Sequence, residues 1–221
     1  MADNDWHAVD NYISGKLTGG DPTLDAALAA NAAAGLPAID VSAPQGKLLG
    51  LYVRMIAARR ILEIGTLGGY STICMARALP EDGRLITLEI DPHHAEVARS
   101  NIARAGLAAR VDIRVGPARQ TLDAMRAAGE GPFDLVFIDA DKPSNPDYYA
   151  AALAMAHSGT VIICDNVVRG GRVIDAASTD PAILGTRRLY DLLASDPRVE
   201  ATAIQTVGSK GWDGFAIAVV K

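Results

Sequence analysis

Ile61-Leu62-Glu63-Ile64-Gly65-Thr66-Leu67-Gly68-Gly69-Tyr70-Ser71 is the stretch that decides the fold. A short, mostly apolar run reads as a strand buried on both faces. Glycines at 65, 68 and 69 break it, and a helical pattern starts at Ser71. Such a turn lets backbone approach a ligand closely and aims free helix N–H groups at it. The spacing is not G-x-G-x-x-G, because position 67 is leucine. The stretch marks a ligand loop without naming the ligand.

Downstream the same unit repeats. Strand-like runs fall at 60–64, 85–89, 111–115, 133–138, 160–164, 202–206 and 215–220. Helical patterns fall at 71–79, 92–105, 117–128, 147–157 and 181–195. Repeated βα units with short connections predict a doubly wound, Rossmann-like α/β sheet of seven strands with helices on both faces. The last two runs have no helix between them. VGSKGWDG joins them as a hairpin loop, so the mostly parallel sheet should end in an antiparallel hairpin. Upstream, Asp21-Pro22 opens a capped helix that Gly35 closes. Ser42 and Gln45 match a capping box before the helix that leads into residue 60. Residues 1–40 thus read as a helical segment packed on one domain, residues 41–221.

Composition narrows the partners. The chain has 221 residues and a formal charge of −5. A mildly acidic chain with 5% aromatic residues is a poor nucleic-acid coat, so no nucleic-acid partner is expected. No apolar stretch is long enough for a membrane helix, and the polar, acidic N-terminus lacks a signal-peptide pattern. Cys74 and Cys164 lie far apart in apolar segments and read as buried free thiols. A cytoplasmic enzyme is the expectation.

Acids mark the strand ends. Glu89 closes the second run, at about the spacing of a ribose-binding acid. Glu63 stands two residues before Gly65. A carboxylate there would repel a pyrophosphate and favour a cationic ligand. S-adenosylmethionine fits, with its sulfonium and its ammonium, and Ser71 with the helix N–H groups could take its carboxylate. The terminal hairpin points the same way. A nicotinamide oxidoreductase and a non-catalytic nucleoside-binding module stay open as alternatives. The fourth run ends in Asp139-Ala140-Asp141-Lys142 and the fifth in Asp165-Asn166. Ligands of open α/β sheets bind beyond the carboxyl ends of the strands, where these tips converge. Asp139, Asp165 and Asn166 offer only hard oxygen donors, which suit Mg²⁺, Mn²⁺ or Ca²⁺.

EIGTLGGYST (63–72), LEID (88–91), GPA (116–118), FDLVFIDADK (133–142) and CDN (164–166) together resemble the cation-dependent class I O-methyltransferases, the catechol and caffeoyl-CoA type. The resemblance runs from about Val41 to the C-terminus. It implies that Val41, Glu63, Gly65, Thr66, Ser71, Glu89, Ala118 and Asp139 hold S-adenosylmethionine. It implies that Asp139, Asp165 and Asn166 hold the cation, that Lys142 is the catalytic base, and that Asp139 serves both metal and cofactor. It implies a phenolic small-molecule substrate and a homodimer. One departure stands out: plant-type members continue DADK with Asp-Asn-Tyr, whereas this chain has Pro143-Ser144-Asn145-Pro146. That favours a smaller catechol over a caffeoyl-CoA thioester. His93 and His94 read as surface residues, His157 as a helix C-terminal cap, and Trp212 as either a packing residue or part of the substrate mouth.

Overall fold

A computed structural model describes residues 3–221. The sheet has seven strands: β1 (Arg60–Ile64), β2 (Arg84–Glu89), β3 (Val111–Val115), β4 (Phe133–Ile138), β5 (Ala156–Asp165), β6 (Val199–Gly208) and β7 (Gly211–Val220). Their order is β3-β2-β1-β4-β5-β7-β6. β1 to β5 pair in parallel, and β7 pairs antiparallel with both β5 and β6. The doubly wound sheet with a terminal hairpin is therefore present. The hairpin is tighter than expected. Gly208 pairs with Gly211, so only Ser209 and Lys210 form the turn, and most of VGSKGWDG is strand.

Eight α-helices connect and cover the sheet: α1 (Asp3–Ile13), α2 (Pro22–Ala33), α3 (Ala43–Met55), α4 (Tyr70–Ala76), α5 (Pro92–Arg104), α6 (Ala118–Ala127), α7 (Asn145–Ala154) and α8 (Pro181–Ser195). Strand side chains alternate between two cores. Leu62, Ile64, Val136, Ile138, Ile162 and Cys164 face α6, α7 and α8. Ile61, Leu135, Phe137, Val161 and Ile163 face α2 to α5. Each fully buried Leu, Ile or Phe contributes about 1.5–3 kcal/mol. The same alternation sends odd-numbered Glu63, Asp139 and Asp165 toward the α2-to-α5 face.

Local signals set the helix ends. Asp21 caps α2 through the N–H groups of Thr23 and Leu24, with Pro22 in the first turn. Ser42 caps α3 through the Gln45 N–H at 3.3 Å. The reciprocal half of that capping box is absent, because the Gln45 side chain turns elsewhere. α2 packs on α4 and α5, and α1 lies against β6. His157 is not a helix cap: α7 stops at Ala154, and His157 sits on β5 with Nε2 2.9 Å from Asp134 Oδ1. Among the described residues no helix is long and apolar enough to cross a membrane.

Candidate active site

An open crevice of about 710 Å³ lies over the carboxyl ends of β1, β2, β4 and β5. Val41, Gly65, Thr66, Ser71, Glu89, Ala118, Asp139, Lys142 and Asn166 all line it. Two sequence-predicted residues, Glu63 and Asp165, sit just beneath, 0% and 5% exposed.

The glycine loop is held by backbone and by buried acids. Gly65 N–H donates to Leu88 O at 3.0 Å, and Asp139 N–H donates to Ile64 O at 2.8 Å. Gly65 has φ +103°, and a Cβ there would lie 2.2 Å from the Asp139 carbonyl oxygen. Only glycine fits between the two strand ends. Leu67, which breaks the glycine pattern, adopts φ +50°. A left-handed leucine costs roughly 1–2 kcal/mol. Glu89 offsets that cost: its Oε2 accepts the N–H groups of Thr66 at 3.2 Å and Leu67 at 2.8 Å. Its Oε1 accepts Asp91 N–H at 3.0 Å and keeps spare accepting capacity. His94, read from sequence as surface, lines the crevice with Nδ1 3.7 Å from that oxygen.

Glu63 lies under the loop. Ser71 and Thr72, in the first turn of α4, each donate a hydroxyl to its carboxylate. The Ser71 hydroxyl proton is thus committed to Glu63. Burial is the main reason the Glu63 carboxyl is pushed up from about 4.5 to about 7, and the Asp139 carboxylate adds to it. A raised carboxyl pKa means that this contribution to stability is present below about pH 4.5 and lost as pH rises through about 7. The loss is on the order of 3 kcal/mol. In Glu63→Gln this contribution to the pH slope should vanish. Denaturant unfolding should show the variant gaining on the parent between about pH 4.5 and 8. Parallel pH profiles for the two proteins would refute the assignment.

Asp139 and Asp165 leave adjacent strands one residue after the paired Ile138 and Cys164. Lys142 Nζ donates to Asp139 Oδ1 at 2.8 Å. Burial raises the Asp165 carboxyl, and Asp139 raises it further. Asn166 adopts φ +56°, and its N–H donates to Asp165 Oδ1 at 2.8 Å. Asparagine tolerates that conformation better than most residues. Gln45 Nε2 donates to Asp165 Oδ2 at 2.7 Å. This contact explains the half-formed capping box, and the sequence reading missed it. Among the described residues there is no metal-holding group of three or more His, Cys, Asp or Glu side chains. The candidate donors are two carboxylates and an amide. That set fits a hard divalent cation, which is commonly held by one or two carboxylates and completes its shell with other oxygens.

The profile of the O-methyltransferase family matches residues 21–217. The chain belongs to the O-methyltransferase family. With that, the sequence reading of a class I, S-adenosylmethionine-dependent O-methyltransferase holds, and the oxidoreductase and non-catalytic alternatives give way. The family's members include the catechol O-methyltransferase of Mycobacterium tuberculosis, 55% identical over 213 residues, covering 96% of this chain and 95% of that protein. The catechol O-methyltransferase of Niastella koreensis is 52% identical over 216 residues, covering 98% of each. The crystal structure of the O-methyltransferase from Bacillus cereus, in complex with SAH, is 56% identical. It superposes with a TM-score of 0.98 over 100% of both chains.

Other residues shape the site from outside the family motifs. Asn101 Nδ2 donates to Gly68 O at 2.9 Å and Asn31 Oδ1 at 3.0 Å, so α2 and α5 buttress the loop. Tyr148 lines the crevice and donates its hydroxyl to Asp141. Trp212 is 43% exposed. Its ring lies against Gly171, and its Nε1–H donates to Gln205 Oε1 at 3.0 Å across the hairpin.

Proposed function

We propose that the protein transfers the methyl group of S-adenosylmethionine to a hydroxyl of a catechol-like phenol, with a hard divalent cation, Mg²⁺ in the simplest case, held by Asp139, Asp165 and Asn166. The observation that carries this reading is the Asp139–Lys142 pair beside buried Asp165, opposite the loop that covers Glu63. The names of the similar proteins from Mycobacterium tuberculosis and Niastella koreensis support it.

The donor lies on the β1–β2 side. The Glu63 carboxylate favours its cationic end, Glu89 Oε1 has room for a ribose hydroxyl, and Val41 and Ala118 wall the base. The acceptor lies on the β4–β5 side, where Lys142 reaches the reacting hydroxyl. A free phenol, with a pKa near ~10, keeps its proton at neutral pH. Lys142, once its ammonium has released a proton to solvent and it stands as the neutral amine, takes that proton, and the oxygen attacks the methyl carbon in line. The carbon–sulfur bond breaks with its electron pair on sulfur, leaving a neutral thioether. When bound by Asp139, Asp165 and Asn166, the cation would supply Lewis acidity that favours the phenolate. Asp139 and Asp165 position that end, and Gln45 orients Asp165.

Methyl transfer from labelled S-adenosylmethionine to a panel of catechols, caffeoyl thioesters and flavonoids tests the acceptor. Excess EDTA should abolish turnover, and added Mg²⁺ should restore it. Full activity in the chelator would remove the cation from the proposal.

A further inference from the structure

We infer that Arg169 forms an anion-recognising subsite at the acceptor end of the crevice, selecting catechols that carry a carboxylate. The inference deepens the methyl-transfer reading and rests on it.

Arg169 lies in the loop after β5 and lines the crevice beside Asn166, Pro143 and Ala182. Its backbone is left-handed, with φ +60°, although glycines stand at 170 and 171. L-residues other than Asn and Asp rarely adopt that conformation. Asp213 holds it there: one carboxylate oxygen accepts the N–H groups of Val168 at 3.0 Å and Arg169 at 2.9 Å. The other carboxylate oxygen is 3.8 Å from the guanidinium, an ion pair too long for a hydrogen bond. The Arg169 Nε is buried with no hydrogen-bond partner among the described residues. The covered Nε anchors nothing, and the rest of the guanidinium makes no hydrogen bond among the described residues although the side chain is 25% exposed, so its terminal N–H groups are left for an acceptor brought by the ligand.

The neighbouring carboxylates do not supply it. Asp139 accepts from Lys142, Asp141 from Ser144 and Tyr148, and Asp165 from Gln45 and the Asn166 N–H. The strand order decides which ligand reaches Arg169. The donor loops follow β1 and β2, whereas Arg169 follows β5, on the far side of β4. It therefore faces the acceptor. A planar guanidinium pairs best with a planar carboxylate, through charge-assisted hydrogen bonds.

The test compares dihydroxybenzoate with vicinal hydroxyls, its neutral amide, and a catechol bearing an alkylammonium. Both kcat/KM and calorimetric binding to the SAH-loaded protein are measured for the parent, Arg169→Gln and Arg169→Lys, with a thermal melt of a separate sample of each to establish that it is folded. The parent should prefer the acid over the amide by about tenfold or more. Arg169→Gln should erase most of that ratio, and Arg169→Lys should restore part of it. An acid-to-amide ratio that is unchanged in Arg169→Gln, or a parent that favours the amide or the ammonium, overturns the inference. Selective binding of the acid without methylation of any catechol overturns the methyl-transfer reading and leaves the subsite standing. Equal methylation of all three overturns the subsite alone.

Discussion

Lys142→Ala is expected to lower kcat by about a hundredfold to ten-thousandfold, the usual worth of a positioned general base. The dissociation constant of S-adenosylmethionine should change little, because, of the proposed donor-side residues, the Lys142 side chain hydrogen-bonds only to Asp139. Lys142 is placed rigidly. It opens a short 3-10 turn, Lys142–Ser144, and α8 presses Gly185 so close that a Cβ there would lie 2.3 Å from the Lys142 carbonyl oxygen. Its side chain is 10% exposed, with Nζ on Asp139. Lys142→Arg separates two roles. Arginine keeps the ion pair but stays protonated, so it cannot take the phenol's proton. Both variants should be slow in single-turnover assays while calorimetry shows normal donor binding. Parent-like turnover in either would exclude proton transfer to Lys142.

Gly65→Ala should be strongly damaging to both fold and loop. The new Cβ meets backbone, the Asp139 carbonyl, which no side-chain rotation relieves. Strained φ and overpacking together should cost roughly 2–5 kcal/mol. The displaced loop should also weaken S-adenosylmethionine binding by more than about tenfold. Gly106→Ala is the control. Gly106 has φ +74° with nothing within 4 Å of its added Cβ, so only the conformational cost of about 1–2 kcal/mol remains. Equal losses at the two positions, by denaturant unfolding, would show that the steric argument is wrong.

The sheet was legible because its strands are apolar on both faces and each ends in a turn or an acid. β1, β3 and β4 match the sequence runs residue for residue, and β5 to β7 run longer. Many of their extra residues, such as Ser158, Gly159, Glu200, Gly211 and Asp213, are polar or glycine and carry no strand pattern, and His157 had the look of a helix end. The strand-tip acids were legible because an acid that ends an apolar run has few structural reasons to be there. Gln45 was not, because its local role as a capping-box residue is satisfied on paper by Ser42. Its actual partner, Asp165, is 120 positions away. Arg169 was invisible for a related reason: a lone arginine in a glycine loop carries no pattern. His94 was not legible because a helix start after Pro92 looks solvent-facing, whereas α5 begins at the carboxyl end of β2, beside Glu89 and the crevice.

The strand order β2-β1-β4-β5 has a consequence for how such a protein can diversify. Apart from Asp139, every donor-side residue named above comes before position 120, and Lys142, Asp165, Asn166 and Arg169 all come after 138. Asp139, backed against Gly65, is the seam where the two stretches of chain meet. In the proposed arrangement, the gap that the methyl group must cross is gauged by two abutting backbones and not by adjustable side chains. Changes to the loops around Pro143 and Arg169 can recast the menu of acceptors while that ruler stays fixed. Gln45 is a side-chain clasp that reaches from the early stretch into the late one, onto Asp165.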